Sequence, residues 1–100
     1  MHAVLEYTYG DDYLHAREAH RSAHLTAAWA AVERGELLLG GAVGDGPFTA
    51  LLIFTGTDAL QTARAFAAAD PYVTNGVVTS WTARPWRTVV GTEATTPTQP

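Results

Sequence analysis

The chain contains no cysteine and no lysine, and both absences limit what it can do. Without cysteine it has no disulfide, no thiolate nucleophile and no cysteine-ligated zinc. Its six basic residues are all arginines, and against ten acidic residues they leave a net charge of −4 with no basic stripe. Because binding to a nucleic-acid backbone depends on clustered positive charge, we expect no nucleic-acid partner.

Long apolar runs are also missing. No run approaches the roughly 20 residues that span a bilayer. The N-terminal segment has no basic residues and reaches Glu6 before an apolar stretch forms, which is unlike a signal peptide. We therefore expect a cytoplasmic protein without a membrane partner. Its 47% hydrophobic content suits one domain with one core, over residues 1–91. The polar segment 92–100 has no apolar anchor and is expected to be disordered.

Hydrophobic periodicity predicts six elements in the order β-α-β-β-α-β. The predicted elements are strands over residues 2–9, 37–43, 48–55 and 77–83, and helices over about 13–34 and 59–69. Gly35 is expected to end the first helix, and Asp58 with Gln61 has the spacing of a capping box for the second. Turn chemistry at 44–47, Gly-Asp-Gly-Pro, predicts a hairpin. Pro85 predicts that the last strand lies at an edge or contains a bulge.

This order is that of a ferredoxin-like α+β protomer, in which two helices cover one face of a sheet. The strands at 37–43 and 48–55 are apolar along nearly their whole length, whereas a strand with one wet face alternates. A large exposed apolar face usually marks an interface. We therefore expect a homodimer that packs sheet on sheet.

Several motifs occur in the order found in the YciI-like (YCII-related) family, which the chain resembles over about residues 3–90. They are R-S-A-H-L at 21–25, G-E-L-L-L-G-G at 35–41, A-D-P-Y-V at 69–73 followed by Gly76-Val77, and R-P-W at 84–86. The resemblance implies a dimeric α/β barrel of ferredoxin-like protomers. It also implies a catalytic histidine at His24, an aspartate partner at Asp70 and an accompanying arginine at Arg21.

The family is similar to muconolactone isomerase-like proteins, and one relative is a dehydrochlorinase that acts on a chlorinated hydroxyhydroquinone. The chain departs from the family pattern at His20, in the short turn at 44–47 and in the segment beyond Gly91. These departures bear on the identity of the substrate more than on the fold.

The segment around His24 is rich in polar residues, although the helix that contains it is expected to bury one face. Arg17 with Arg21, and His20 with His24, are each four residues apart and stack on successive turns. At about 100° per residue, His24 falls roughly 90° from the apolar centre of the helix, where core meets solvent. That apolar centre comprises Leu14, Leu25, Trp29 and Val32. Core positions are also expected for Trp29, Leu52, Phe54 and Phe66.

The residue types favour proton-transfer chemistry without a cofactor. A carboxylate at a histidine ring nitrogen fixes the tautomer and strengthens the base, so His24 with Asp70 is a candidate general base. Arg21, with Arg17, is expected to pair with an anionic group, and Tyr72 and Trp81 are expected to form an apolar or stacking wall. The predicted reaction is proton abstraction with elimination or isomerisation, on a small cyclic or aromatic hydroxylated substrate.

Other functions are compatible with the same residues. His24 is then a structural histidine, and Asp70 caps a turn or pairs with Arg21. His20 and His24 have the spacing of metal ligands, but no further ligand is evident beyond Asp70, so no metal is expected. The chain is alternatively a non-catalytic module that binds a small ligand, or an accessory subunit that binds another protein through the dimer scaffold.

Overall fold

A computed structural model describes residues 1–100 and contains four strands and four helices. The elements are β1 (His2–Tyr9), α1 (Tyr13–Ala16), α2 (Arg21–Glu33), β2 (Leu37–Val43), β3 (Thr49–Thr55), α3 (Ala59–Ala69), α4 (Pro71–Thr74) and β4 (Val78–Trp86). The strands form one antiparallel sheet in the order β2-β3-β1-β4. The ferredoxin-like α+β prediction is confirmed. None of the helices has the length and apolar character needed to cross a membrane.

The core lies between α3 and one face of the central strands. Ala59, Ala63 and Ala67, spaced four residues apart, are fully buried along one side of α3. Their small side chains allow α3 to approach β1 closely, where Leu5 and Tyr7 are also buried. This packing holds the C-terminal end of α3 beside the middle of the sheet.

The first predicted helix, over 13–34, is wrong as a single element. The chain leaves the α-helical pattern at 17–20, where Glu18 N–H donates to the His15 carbonyl and His20 N–H to the Arg17 carbonyl, both three residues back. Neither glycine nor proline signals this break. The two helices pack on different partners: Tyr13 of α1 stacks on a β1 residue, while α2 contacts β2 and α4. The break allows both contacts.

The predicted apolar centre of the first helix is wrong as a core face at three of its four residues, and only Val32 packs against the core. Trp29 is 65% exposed, Leu14 and Leu25 are exposed, and the fully buried residue of α2 is Ala31. The cause is a cavity that lies between part of α2 and β2, whose residues after Leu37 are all exposed. Leu25, Trp29 and Val32 therefore border this cavity.

The opposite face of the sheet carries apolar side chains that no helix covers. Leu39, Val43, Leu51 and Ile53 lie on this face by strand register. Leu39 is 72% exposed, and Val43 and Leu51 are exposed as well. We call these four residues the bare face. One extra residue, Leu38, bulges out of β2 where its pairing to β3 shifts.

Three local predictions can be compared directly with the structure. The 44–47 turn joins β2 to β3 as an antiparallel hairpin, as predicted. The capping box is wrong, since Asp58 precedes α3 but its side chain makes no cap hydrogen bond. Strand β4 runs three residues beyond the predicted end at 83, and Pro85 is tolerated because β4 is an edge strand.

The segment after β4 contains no helix or strand. The hydroxyls of Thr88 and Thr95 lie 2.7 and 3.2 Å from Nδ1 of His2 at the start of β1. Backbone hydrogen bonds join Thr96 to Thr88 and Thr98 to Val89. Disorder of residues 92–100 in solution stays a prediction.

Candidate functional site

His24 and Asp70 are in direct contact. His24 lies in the first turn of α2, and its Nδ1 is 2.8 Å from Oδ1 and 2.9 Å from Oδ2 of Asp70. Asp70 lies at the corner between α3 and α4, with extended backbone because Pro71 follows it. The corner ends α3 and directs the carboxylate toward the first turn of α4. The Asp-Pro sequence thus builds half of the contact locally.

The Asp70 carboxylate is fully buried and has three hydrogen-bond partners. The Tyr7 hydroxyl donates to Oδ2 at 2.7 Å, and the backbone N–H of Tyr72 donates to Oδ1 at 3.0 Å as the N-cap bond of α4. His24 Nδ1 is shared between both oxygens. The Tyr7 hydroxyl and the Tyr72 N–H donate to different oxygens of this group, which is the pattern of an ionised carboxylate that only accepts. His24 therefore carries its proton on Nδ1, and its neutral form has the free electron pair on Nε2.

The second ring nitrogen of His24 is accessible. Nε2 has no hydrogen-bond partner in the chain, and no side-chain nitrogen or oxygen is both buried and unpartnered. The side chain as a whole is 13% exposed and lines a cavity. One nitrogen is thus anchored and the other is open toward the cavity.

Tyr72 covers one face of the His24 ring. The two rings are stacked, with centroids 3.9 Å apart and planes 5° from parallel. Tyr72 itself is buried and lines the same cavity. The ring of His24 is therefore fixed at an edge by Asp70 and across a face by Tyr72.

The cavity beside His24 has a volume of about 350 Å³ and lies between α2 and strands β2 and β3. Thirteen of its 18 lining residues are hydrophobic. Gly40 and Gly41 form part of the β2 wall without side chains. Such a mostly apolar space with a few convergent polar groups is typical of a small-molecule site. The polar or amphipathic lining side chains are Tyr9, Tyr13, Arg17, Arg21, His24 and Tyr72.

Two guanidinium groups at this cavity have no acidic partner. Neither Arg17 nor Arg21 lies within 4 Å of a carboxylate, since the ion pairs of the chain are His24–Asp70, Arg34–Glu36 and Arg84–Glu6. Arg17 Nη1 donates to the Tyr13 hydroxyl at 2.9 Å, and its guanidinium lies 5.0 Å from the centre of that ring. In a protein of net charge −4, this cavity is a local concentration of positive charge.

The tyrosines around the site keep their protons. Burial, followed by the Asp70 carboxylate, raises the pKa of Tyr7 far above its usual value of 10. Burial and then the neighbouring Tyr13 hydroxyl raise the pKa of Tyr9, and burial raises that of Tyr72 although Arg17 and Arg21 oppose it. These phenols are therefore hydrogen-bond donors throughout the neutral range.

The structure brings together most of the predicted site residues. His24, Arg17, Arg21 and Tyr72 line one cavity, and Asp70 lies behind His24. Trp81 does not line it; it lies opposite Tyr7 on β4 and packs against the core.

The pair of histidines with metal-ligand spacing, His20 and His24, has no third ligand beside it.

The sequence did not identify the aromatic cavity residues Tyr9, Tyr13 and Trp29, or the Asp70 donor Tyr7, as parts of the site. A signal existed for Tyr7, because strand alternation places it on the core face and a buried tyrosine hydroxyl needs a partner. For Trp29 the sequence was misleading, because its place in the apolar repeat of the helix indicated a core position. Only the gap between α2 and β2 explains its exposure.

The sequence matches the YCII-related domain family over residues 1–87. The chain belongs to the YCII-related family. Among solved structures, this YCII-related domain is similar to 5-chloro-2-hydroxyhydroquinone dehydrochlorinase (TftG) from Burkholderia phenoliruptrix AC1100, in complex with 2,5-dihydroxybenzoquinone. The two share 18% sequence identity with a TM-score of 0.71, over 88% of this chain and 95% of that one. At this identity the similarity shows a common fold. No curated protein sequence matches this domain significantly.

Proposed function

We propose that this YCII-related domain is a cofactor-free lyase or isomerase that removes a proton from a small cyclic or aromatic hydroxylated compound. His24 is the general base and Asp70 is its orienting partner. The observation that carries the proposal is the state of the His24 ring: Nδ1 is held by a buried carboxylate, and Nε2 is unpartnered beside the cavity. A base must reach a substrate proton with a free electron pair, and this arrangement supplies one.

The chemistry needs only groups of this chain and the substrate. Nε2 of His24 takes a proton from the substrate, and the imidazolium that forms is stabilised by the Asp70 carboxylate. The electron pair left on the substrate forms a new double bond and expels a leaving group as an anion, which is an elimination. Alternatively, the protonated Nε2 returns its proton to a different substrate atom, which is an isomerisation.

Arg21 and Arg17 are proposed to bind the anionic oxygen of the substrate. Both line the cavity without a carboxylate partner, so their charge is available to a phenolate, enolate or carboxylate. The same charge stabilises the electrons that remain on the substrate once its proton has left. Tyr72 and the apolar wall then hold the ring.

Two comparisons support this substrate class. A cavity of about 350 Å³ lies at the lower end of the usual range for small-ligand sites, which suits a single ring. The structural relative TftG is described as a dehydrochlorinase and contains 2,5-dihydroxybenzoquinone, a hydroxylated single ring. We propose that this chain takes a ring of the same kind, without specifying a halide as its leaving group.

We also propose that the domain acts as a homodimer, with the bare faces of two copies packed together. The exposed leucine and valine side chains on that face would otherwise form a contiguous apolar surface in water.

The test is turnover of a panel of hydroxylated and chlorinated hydroxylated rings by the wild type and by His24→Asn. Loss of a general base is expected to lower kcat by about 10²–10⁴-fold. Circular dichroism establishes that the variant is folded. Equal turnover by both proteins would contradict the proposal.

Ligand binding without product would favour the alternative of a non-catalytic binding module. Its signature is thermal or chemical stabilisation of about 2.7 kcal/mol at a hundredfold excess of ligand over Kd, with no chemical change. An accessory protein-binding subunit would show neither turnover nor this stabilisation.

A further inference from the structure

We infer that Tyr7 is a positioning residue for His24 and acts through Asp70. Tyr7 lies on β1, outside the cavity, and is 1% exposed. Its hydroxyl makes one hydrogen bond, the 2.7 Å contact to Oδ2 of Asp70. The inference rests on the proposed role of His24 as a base, but its geometry is independent of any substrate.

Tyr7 determines the rotation of the Asp70 carboxylate. Oδ1 is held by the backbone N–H of Tyr72, and Oδ2 is held by Tyr7. With both oxygens held, the plane of the carboxylate presents both of them to His24 Nδ1, at 2.8 and 2.9 Å. Without the Tyr7 hydroxyl, Oδ2 has no donor except the shared His24 proton, so the carboxylate is free to turn about its Cβ–Cγ bond.

This rotation matters because the Nδ1 hydrogen bond selects the tautomer of His24. A neutral imidazole carries its proton on either nitrogen, and the partner of one nitrogen decides which. A carboxylate that turns away releases Nδ1 and allows the proton to move to Nε2. In that form Nε2 is a donor and no longer a base. Tyr7 thus keeps the electron pair on the nitrogen that is open to the cavity.

Phenylalanine at position 7 isolates the hydroxyl from the ring. The Tyr7 ring fills core space, and phenylalanine keeps that packing while removing the hydrogen bond. Tyr9→Phe is the control, because Tyr9 lies on the same face of β1, is partly buried against the core, and makes no hydrogen bond to Asp70.

The experiment is ¹⁵N NMR of histidine-labelled protein at about pH 8.5, roughly two units above the ordinary histidine pKa, with His24 assigned by His24→Asn. In the wild type and in Tyr9→Phe, we expect a protonated Nδ1 and an unprotonated Nε2. In Tyr7→Phe, we expect the ¹⁵N shifts of the two nitrogens to move toward each other. Unchanged His24 shifts in Tyr7→Phe would overturn the inference.

A wild-type measurement covers the case in which Tyr7→Phe does not fold. The Tyr7 hydroxyl proton and the His24 Nδ1 proton both point at Oδ2 of Asp70 and are close to each other. We expect a slowly exchanging hydroxyl proton that shows cross-relaxation with the Nδ1 proton. If both protons are observed without that cross-relaxation, Tyr7 does not hold the carboxylate.

The NMR result separates this inference from the proposed function. A shifted tautomer in Tyr7→Phe supports the positioning role even if His24→Asn has no effect on turnover. Once a substrate is known, Tyr7→Phe is expected to lower kcat with little change in KM, because Tyr7 does not line the cavity. A raised KM with unchanged kcat would contradict the positioning role.

Discussion

The imidazole of His24 lies flat on the phenol ring of Tyr72, 3.9 Å away between centroids and 5° from parallel. Because Asp70 holds the Nδ1 edge, the ring is unable to flip without breaking both contacts. The base is therefore presented to the cavity in one orientation. Preorganisation of this kind lets a group act without a conformational cost at the moment of reaction.

Removing the Tyr72 ring should disturb the site more than removing its hydroxyl. Tyr72→Leu loses the stack on His24, whereas Tyr72→Phe keeps it, and the Tyr72 hydroxyl makes no hydrogen bond in the chain. An aromatic pair contributes about 0.5–1.5 kcal/mol beyond its buried area. We expect the leucine variant to lose at least that much more stability in urea unfolding. Equal stability of the two variants would show that the stack contributes nothing.

Asp70→Asn should destabilise the fold. An asparagine amide donates where the carboxylate oxygen accepts, so it cannot satisfy both Tyr7 and His24. Loss of a hydrogen bond to a buried charged group costs roughly 1.5–3 kcal/mol in the free energy of unfolding. The control is Asp45→Asn, in the exposed turn between β2 and β3, which should stay within about 0.5 kcal/mol of the wild type. Urea denaturation at neutral pH measures both.

Arg21→Gln should weaken the binding of an anionic ring. Its guanidinium lines the cavity and has no carboxylate partner, so a bound anion loses a charge-assisted contact. We expect Kd for 2,5-dihydroxybenzoquinone, used as the probe, to rise by roughly 10- to 100-fold. Arg34→Gln is the matched control, because Arg34 pairs with Glu36 outside the cavity. Titration calorimetry that gave the same Kd for both variants would exclude Arg21 from binding.

Alkaline pH should destabilise the protein through its buried phenols. The pKa of Tyr7 is raised in the folded state by burial and by Asp70, while the unfolded chain loses this proton near pH 10. Above that pH the unfolded state binds fewer protons, so the free energy of unfolding falls. The stabilisation is complete below pH 10 and declines as the pH rises toward the folded-state pKa. Each such phenol contributes a slope of up to about 1.4 kcal/mol per pH unit.

Tyr7→Phe removes one of these phenols and so measures its share of the pH dependence. Urea unfolding between about pH 8 and pH 11 gives the free energy of unfolding at each pH. In this variant that free energy should fall less steeply with pH, by the contribution of one titrating group, up to about 1.4 kcal/mol per pH unit. The same slope in wild type and variant would mean that Tyr7 titrates alike in both states. Tyr9 and Tyr72 account for the slope that remains, because burial raises the pKa of both.

A charge on the bare face should abolish the proposed dimer. Leu39→Glu places a carboxylate on the most exposed leucine of that face, where a partner sheet would have to bury it. We expect light scattering at micromolar concentration to give a dimer for the wild type and a monomer for the variant. Leu14→Glu, on α1 and away from the sheet, should remain dimeric. A monomeric wild type would contradict the sheet-on-sheet proposal itself.

The fold could be predicted largely because its signals are local. Turn chemistry at 44–47 and the apolar runs beside it placed β2 correctly and β3 to within one residue. The break at 17–20 had no local signal, since it follows from how Tyr13 packs on Tyr9. In the same way, periodicity located the apolar face of α2 but not the gap that separates α2 from β2.

In the candidate site, too, the local features could be predicted from the sequence and the long-range contacts could not. Asp70 before Pro71 is a local corner that the sequence shows plainly. The assignment of His24 to Asp70 came from family resemblance, because the residues alone do not say which of four histidines meets a given aspartate. The role of Tyr7 required the position of β1 relative to the end of α3, which is a property of the assembled sheet.

The contacts that hold Asp70 also decide when the site forms as the chain folds. His24 and Asp70 are 46 residues apart in sequence, and Tyr7 and Asp70 are 63 apart. Strand β1, although first in sequence, lies between β3 and β4, so both of its neighbours follow it in the chain. On a ribosome, Tyr7 and His24 leave the exit tunnel before the carboxylate that joins them, because Asp70 lies in the last third of the chain.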